Sequence, residues 1–342
     1  MSKLMPQTSL TVPQFAADVR DELIGVLATH GHEAGQYSVL GPDPWLVIWN
    51  EARSGFIFFL EGRRALLQWR SPVARADEYP ELLARVVEYA ESVDKPFFAV
   101  EVNDTAREAG VSLGMTAIWT GTESFLDLAT WSISGGRRQK VRWARNHALK
   151  IGLTWREVFP LVNVNHHESL RHVEQHWRSE RSERKTDSFL RTDFMELADL
   201  RRYFACEGPN GVIAFVSCTP VSGDGWYLQD IVRTPDAARG ALEGAMALAL
   251  DTFRDEGFTF VSNGPLPFWR PHESWSDPYQ LGAIGNRVLK FFDSQYRFHG
   301  INQFRSKFEP DRLSPLYVLR SRRLITPSVA RSLTKMLNGK MT

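Results

Sequence analysis

Apolar residues in the first half of the chain fall into short blocks whose spacing predicts strands packed around a helix. Brief apolar runs bounded by turn residues are typical of buried strands. The predicted strands are residues 45–49, 55–60, 65–69, 96–102, 117–120 and 124–128. Between 79 and 92 the apolar residues instead recur every three or four positions, which predicts an amphipathic helix, and a shorter helix is predicted at 105–113.

The second half repeats this order of elements. Its predicted strands are 153–158, 211–217, 226–233 and 258–262, and its predicted helices are 166–178, 193–202 and 242–253. A turn bearing Gly and Asp separates 211–217 from 226–233, which favours an antiparallel pair. The pattern predicts an α/β fold with mixed sheets, in which an N-terminal domain (1–134) and a C-terminal domain (153–342) are joined by a helix at 135–152.

Composition adds three constraints. The chain has 342 residues, 43% hydrophobic and 24% charged, so a folded protein of two domains is expected. The formal net charge of +1 argues against a broadly basic nucleic-acid protein, so any nucleic-acid contact must be local. Cys206 and Cys218 alone make no disulfide framework, which indicates a reducing cytoplasm. No signal peptide and no run of ~20 apolar residues is visible, so membrane contact is expected to be peripheral.

The joining helix is basic throughout and is closed by a glycine. Val141, Ala144, Ala148 and Ile151 form one apolar stripe, which predicts burial of that face. A second set of positions carries only positive charge: Arg137, Arg138, Lys140, Arg142, Arg145 and Lys150. With no acidic residue in the segment, a partner bearing several phosphates is favoured, and its binding should weaken with salt. A solvated helix, or one paired with carboxylates elsewhere in the fold, is the alternative.

The segment 226–243 is predicted to run from a strand through a Pro/Gly turn into a helix. The free N–H groups at such a helix start favour an anion, and acyl-CoA-dependent acetyltransferases bind pyrophosphate there. Their Arg/Gln-x-x-Gly-x-Gly/Ala signature is broken here, because Ala237 stands at the first position and Leu242 at the last. An acyl-CoA donor is therefore disfavoured, although the acetyltransferase-like shape is retained.

Asp230 and Arg233 pose a geometric question within this strand. Their odd separation places them on opposite faces of a regular strand, with Asp230 on the face of Trp226, Leu228 and Val232. A β-bulge between 230 and 233 would turn both side chains toward one cleft. The alternative is a buried acid whose carboxylate is satisfied by Arg233 or by backbone groups.

Four segments resemble motifs of the phosphatidylglycerol lysyltransferase C-terminal domain, in that family's order, and the resemblance spans residues 35–320. They are the basic helix with Val141-Arg142 and residues 146–148 in register; Asp230, Arg233, Pro235, Gly240 and Glu243; Gly264-Pro265-Leu266; and residues 304–310, with Lys307. Residues 183–186 match the family's Glu-Lys-Gly-Phe segment only loosely, which leaves Glu183 without an assigned role.

The resemblance implies tandem GNAT (acetyltransferase-like) domains that take an amino acid from aminoacyl-tRNA, a co-substrate that makes a cofactor or metal unnecessary. By position it implies that Asp230, Arg233 and Lys307 line the transfer site. It also implies that Gly240, Glu243 and Gly264 contact the substrate or donor. The cations of the basic helix would then hold the tRNA acceptor stem.

Because the ester on tRNA is already activated, the protein must position the acceptor and move one proton. Asp230 would accept that proton, while Lys307 or Arg233 would stabilise the oxyanion. The expected acceptor is a small metabolite with a hydroxyl, hydroxylamine or amine, as in natural-product pathways, and phosphatidylglycerol is the alternative. Two rival functions stay open: an acyl-CoA N-acyltransferase, and a non-catalytic module that binds tRNA or a membrane.

Two further features carry weaker signals. His172 and His176 have the spacing of metal ligands within the histidine-rich segment 166–176. No third ligand stands out, so a surface helix without metal is the preferred interpretation. The segment 326–340 places an apolar stripe beside Arg331 and Lys335, which fits either an anionic membrane surface or docking on its own domain.

Overall fold

The computed structural model describes residues 12–182, 193–269, 298–321 and 326–337. The strands in these ranges are β1 (Gln14–Phe15), β2 (Leu46–Trp49), β3 (Phe56–Glu61), β4 (Leu66–Trp69), β5 (Phe97–Val102), β6 (Thr116–Asp127), β7 (Thr154–Val158), β8 (Arg202–Gly208), β9 (Gly211–Val221), β10 (Gly225–Arg233), β11 (Phe260–Pro267) and β12 (Arg312–Arg320). The helices are α1 (Arg20–His30), α2 (Tyr79–Ser92), α3 (Asp104–Ser112), α4 (Gln139–Lys150), α5 (Val164–Ser182), α6 (Ala241–Asp255), α7 (Phe298–Ser306) and α8 (Pro327–Leu337).

The described residues divide into two compact units along lines that differ from the predicted domains. The first is drawn from Met1–His30, Pro42–Ile118 and Tyr317–Thr342, and the second from Gly31–Gly41 and Trp119–Leu316. The basic helix, α4, falls in the second unit, where its apolar stripe is buried in the core. The unit boundaries fall within β6 and β12, since β6 pairs with β11 and the end of β12 pairs with β5.

Within the first unit, β1 to β4 are successive antiparallel neighbours, and β4 then pairs in parallel with β5. Helix α2 makes the crossover between the parallel strands and has the bounds that its periodicity predicts. Its apolar face, with Leu82, Leu83 and Val86, packs in a core that includes Phe97.

The second unit repeats this arrangement. Strands β7 to β10 are successive antiparallel neighbours, β10 pairs in parallel with β11, and α6 makes the crossover. The predicted stripe of α6 is buried, including Met246, Ala249 and Phe253, in a core that also contains Cys206 and Cys218. The predicted mixed α/β units are therefore confirmed.

Strands β10 and β11 separate after a short paired stretch. They are paired only across Gly225–Tyr227 and Phe260–Ser262. Immediately beyond these residues, β10 shifts register against β9 between Leu228 and Asp230, and β11 shifts against β6 between Ser262 and Gly264. Their carboxyl-terminal halves are thus not paired with each other, and we call the gap between them the cleft. In α/β proteins the carboxyl ends of strands commonly border ligand sites.

Several predicted elements differ from the structure. The helix predicted at 193–202 is wrong, because 194–200 form turns and β8 starts at Arg202. Strand β8 is not predicted by an alternation of polar and apolar residues. Its residues do not alternate between buried and exposed, since four consecutive ones are all buried: Tyr203, Phe204, Ala205 and Cys206. The two strands predicted at 117–120 and 124–128 form the single strand β6. Elements α1, α7 and β12 were not anticipated, and residues 183–186 lie outside the described ranges.

Helix α8 packs on the first unit through its apolar stripe. Ser332 accepts a hydrogen bond from the backbone N–H of Arg64 at 3.3 Å, and Met336 is buried beside Gly62. Arg331 and Lys335 remain exposed on the other side, so the suggested membrane contact stays a prediction. In the described parts of the chain, no helix combines the length and apolar character needed to cross a membrane.

Gly240 lets α4 approach the start of α6. Its φ is +99°, and a Cβ placed there would lie 2.1 Å from the carbonyl oxygen of Ala144 and 2.8 Å from the Cβ of Ala148. Only a residue without a side chain fits this contact, and Gly240 also tolerates the left-handed conformation that precedes α6. The contact fixes α4 against the first turn of α6.

We expect Gly240→Ala to lower the free energy of unfolding more than Gly211→Ala. Both residues have positive φ, which costs a non-glycine residue ~1–2 kcal/mol. Gly211 has no atom within 4 Å of an added Cβ, whereas Gly240 meets the α4 backbone, adding ~1–3 kcal/mol of overpacking. Urea unfolding of the two variants measures the difference, and equal destabilisation would contradict the close packing of α4 on α6.

Candidate active site

Lys307 and Glu243 form an ion pair at the start of α6. The Lys307 Nζ lies 3.0 Å from the Glu243 Oε1. Glu243 occupies the first turn of α6, where the helix dipole favours a carboxylate, and it is buried. Lys307 is partly exposed, with its Nζ 4.9 Å from the centre of the Phe304 ring. The structure therefore brings together two residues that the sequence motifs assigned to the site.

Gly264 accommodates Arg305 from α7. Gly264 has a φ of +88°, and an added Cβ would lie 2.6 Å from the Arg305 guanidinium. Arg305 donates a 2.6 Å hydrogen bond to the Pro265 carbonyl, and Asn263 Nδ2 donates to the Arg305 carbonyl at 3.1 Å. Gly264 thus leaves room for the Arg305 side chain, which fixes α7 against β11. Sequence reasoning did not assign Arg305 to the site, although Arg305 lies within the recognised motif 304–310.

Helix α7 and the turn that follows it contact both β11 and α6, on the two sides of the cleft. Arg305 contacts the end of β11, and Lys307, two residues later, contacts the first turn of α6. The ammonium group of Lys307 is consequently held near the region where β10 and β11 separate, by its side-chain ion pair with Glu243 and by the bond of Arg305 to the Pro265 carbonyl.

Arg233 lies at the end of β10 and stabilises the connection to α6. Its guanidinium donates a 3.1 Å hydrogen bond to the Ala237 carbonyl. The residue is exposed, and its strand neighbour Ile231, two positions earlier, packs on the core that contains α6. Arg233 therefore lies on the α6 side of β10.

Asp230 lies on the other side of β10. The register shift falls between Leu228 and Asp230, and 230–233 then pair regularly with β9, so the bulge predicted between 230 and 233 is wrong. Because a bulge reverses the alternation, Asp230 no longer faces the side of Trp226 and Leu228 but shares a face with Val232. Asp230 and Arg233 consequently do not meet in one cleft.

The Asp230 carboxylate is sealed in a buried network. It is 6% exposed, and its Oδ2 accepts hydrogen bonds from Arg201 at 2.8 Å and Ser217 at 2.6 Å. Burial raises the pKa of Asp230, while the charge of Arg201 acts in the opposite direction. The alternative of a satisfied core acid describes Asp230 better than a proton acceptor at an open site, although its partner is Arg201 and not Arg233.

Two of the six cations assigned to tRNA are held by carboxylates of the same unit. Arg137 and Arg138 contact Asp311 at 2.8 and 2.9 Å. Arg138 is 1% exposed, lies 4.7 Å from the Trp131 ring and donates to the Phe308 carbonyl, and its burial lowers its pKa. The role predicted for Arg138 in binding tRNA is therefore incompatible with its position.

The remaining cations of α4 differ in their surroundings. Arg142 donates to the carbonyls of Ile133 and Gly135, at 2.8 and 2.5 Å, and is half-buried. Arg145 is also half-buried, with its guanidinium 6.0 Å from the Trp155 ring. Lys140 and Lys150 are exposed. The predicted buried stripe of α4 is confirmed except at Ile151, which follows the last helical residue and is exposed.

A concavity of about 400 Å³ lies on the outer side of α4. Its lining residues are Gln139, Arg142, Trp143, Asn146, His147 and Lys150. Trp143 is 53% exposed and stacks on His147 with ring centres 5.4 Å apart and planes 2° from parallel. The Arg239 guanidinium lies 4.4 Å from the Trp143 ring. Sequence reasoning missed these three residues, although an exposed Trp in a basic helix was a readable signal.

The histidine-rich segment is part of α5. The rings of His172 and His176 lie 4.2 Å apart, and His176 Nδ1 contacts the His172 carbonyl at 2.9 Å. His166 accepts a 3.0 Å hydrogen bond from the Phe159 N–H and contacts Arg156. Across the described ranges, no group of three His, Cys, Asp or Glu residues is arranged to hold a metal ion.

The family model for the C-terminal domain of phosphatidylglycerol lysyltransferase matches residues 44–320. The chain belongs to this family. A phosphatidylglycerol lysyltransferase of Staphylococcus aureus strain COL is 21% identical over 271 residues, which cover 77% of this chain and 31% of that protein. The chain therefore spans about a third of the length of such curated relatives.

Solved members of the lysyltransferase family have the same fold. The L-PGS structure from Bacillus licheniformis superposes with a TM-score of 0.75 at 18% identity, covering 93% of this chain and 96% of that one. A C-terminal domain (DUF2156) assigned to a lysylphosphatidylglycerol synthetase of Agrobacterium fabrum gives a TM-score of 0.78 at 17% identity, with 95% and 98% covered. The predicted α/β fold with mixed sheets is confirmed.

We expect Asp230→Ala to act mainly on stability, because it leaves the buried Arg201 without a carboxylate. The free energy of unfolding should fall by ~3–5 kcal/mol, and Arg201→Met/Asp230→Leu should recover much of that loss. The more exposed Arg156–Glu207 pair is the control. Arg156→Ala should change the free energy of unfolding by only ~0–1 kcal/mol. Urea unfolding measures all three variants, and a fully stable Asp230→Ala protein would contradict the structural role.

Proposed function

We propose that this chain transfers an amino acid from aminoacyl-tRNA to a hydroxyl or amine acceptor. Membership of the phosphatidylglycerol lysyltransferase family supports this activity, and the curated relatives carry the lysyltransferase name. The observation that carries the proposal is the Lys307–Glu243 pair, held beside the point where β10 and β11 separate. A cationic group at this position suits a reaction that develops negative charge on a carbonyl oxygen.

The chemistry follows from the activated ester. The acceptor attacks the aminoacyl carbonyl, and Lys307 stabilises the resulting oxyanion with its ammonium group. Glu243 positions Lys307, because the Lys307 Nζ and the Glu243 Oε1 lie 3.0 Å apart. The tetrahedral intermediate then collapses, and the ester bond to the ribose oxygen of the tRNA breaks. The acceptor loses one proton in the reaction, and that proton ends on the ribose oxygen. Asp230 takes no part in this scheme, since its carboxylate is bonded to Arg201 and Ser217.

We favour phosphatidylglycerol as the acceptor over the small metabolite expected from the sequence. The names of the curated relatives support this choice, and so does the loop 159–164. Four apolar residues of this loop are between 53% and 85% exposed: Phe159, Leu161, Val162 and Val164. Exposed apolar clusters of this kind suit insertion into a lipid interface.

The apolar loop is ordered by polar contacts. Phe159 accepts hydrogen bonds from the N–H groups of Val162 and Asn163 and donates to His166. The Asn163 side chain accepts from the N–H groups of Asn165 and His166 at the start of α5. The apolar side chains can therefore enter a lipid interface without disturbing the contacts that shape the loop.

The test is transfer of label from tRNA charged with a labelled amino-acid mixture, in the presence of phosphatidylglycerol vesicles or of an aqueous metabolite extract. RNase-treated donor is the control. RNase-sensitive label in the lipid phase supports the proposal as stated. Label in a new aqueous product would retain aminoacyl transfer but replace the acceptor. Transfer from labelled acetyl-CoA, with none from tRNA, would overturn the proposal in favour of an acyl-CoA enzyme.

Lys307→Ala should reduce the rate of transfer by about 10²–10³-fold, the loss typical of one oxyanion donor. Steady-state transfer assays measure kcat, and circular dichroism checks that the variant is folded. Arg63→Ala, which removes an exposed cation of the first unit, is the control and should retain wild-type activity. A folded Lys307→Ala enzyme with unchanged kcat would remove Lys307 from the mechanism.

Phe159→Ser/Val162→Ser should weaken binding to phosphatidylglycerol vesicles by about tenfold or more, because each fully buried Phe or Val side chain contributes ~1.5–3 kcal/mol. Vesicle co-sedimentation provides the measurement. The control is Val111→Ser/Leu113→Ser, which replaces two exposed apolar residues of the first unit and should leave binding unchanged. Equal losses in both variants would show that the loop has no special role.

A further inference from the structure

An aromatic and cationic surface on the outer side of α4 takes no part in the core packing of this helix. We call it the stacking face and define it as Trp143, His147 and Arg239 with the adjoining concavity. The core contacts of α4 are made by a different stripe, which includes Val141 and Ala148. The stacking face therefore presents its aromatic rings to solvent, with Trp143 53% exposed.

The charged residues named in the stacking face and its concavity are all cations. Arg142 and Lys150 line the concavity, and Arg239 covers part of the Trp143 ring. The segment 135–152 contains no acidic residue. Asn146 and Gln139 add side-chain amides, which donate and accept hydrogen bonds. Flat rings flanked by cations and amides fit a ligand that combines planar groups with phosphates.

We propose that the stacking face binds unpaired nucleotides at the 3′ end of tRNA, with a base stacked against the Trp143–His147 pair and phosphates near Arg142 and Lys150. Proteins hold single-stranded nucleic acid in this way, because every base has a face for stacking and a backbone that attracts cations. Paired bases in a helical stem do not offer free faces. The proposal deepens the proposed function and rests on it for the identity of the RNA.

The stacking face lies close to the Lys307–Glu243 pair. Gly240 brings α4 against the start of α6, and Arg239, the preceding residue, contacts Trp143. Glu243 follows Gly240 by three residues, so about one helical turn separates the two contacts. A nucleotide held at Trp143 would thus lie near the place where the ester must react. This proximity favours the 3′ end over any other part of the tRNA.

The test measures binding of a labelled single-stranded RNA of about ten nucleotides that ends in the tRNA 3′ sequence. Trp143→Ala should weaken binding by about tenfold, and Trp143→Phe should retain most of it. Since Trp143 carries no charge, the slope of log K against log salt should not change in Trp143→Ala. Lys150→Ala should reduce that slope by about 0.7, the value for one phosphate contact on a single strand. Phe15→Ala removes an exposed aromatic residue of the first unit and should have no effect.

Three results would overturn the inference: unchanged RNA binding by Trp143→Ala, equal binding of a fully double-stranded RNA, or loss of binding only to phosphatidylglycerol vesicles. Because the RNA carries no amino acid, the assay does not depend on transfer. Trp143-dependent RNA binding without any transfer activity would support the stacking face and refute the proposed function. Full transfer activity with an unchanged KM for tRNA in Trp143→Ala would refute the stacking face alone.

Discussion

The early separation of β10 and β11 is the structural constraint on which the arrangement of the second unit depends. Two parallel strands that exchange hydrogen bonds over only three residues leave backbone groups that need other partners. Helix α6 starts on one side of the opening, and Arg305 bonds to the Pro265 carbonyl on the other. Lys307 is positioned by the same turn and is paired with Glu243. The proposed transfer site is thus a product of interrupted strand pairing.

Charge in this unit is divided between internal pairs and exposed surfaces. Arg138 and Arg201 each compensate a carboxylate within the fold, and removing either carboxylate would leave an unpaired buried charge. Lys140 and Lys150 remain exposed, and the aromatic ring of Trp143 lies on the same helix. A basic sequence therefore overstates how much positive charge is offered to a ligand. The surface that can meet RNA is smaller and more aromatic than the count of arginines indicates.

Elements with a clear period were predicted well, because local spacing reports which face is buried. Helix α2 has its predicted bounds, and the buried stripes of α4 and α6 follow the apolar spacing of their sequences. Strand β8 was missed, because burial on both faces removes the alternation that identifies a strand. The strand partners of β6 and β12 are remote in sequence, so local spacing carries no information about them.

The sequence by itself determined the two repeated α/β units, the family and the motif residues Glu243, Gly264 and Lys307. Only the tertiary structure decided what these residues contact. A one-residue shift in register moved Asp230 to the opposite face of β10, a change that no count of residues along the chain reveals. Likewise, the pairing of Arg138 with Asp311 joins positions far apart in sequence. Local patterns specify elements and their buried faces, whereas the partners of a charged side chain depend on long-range packing.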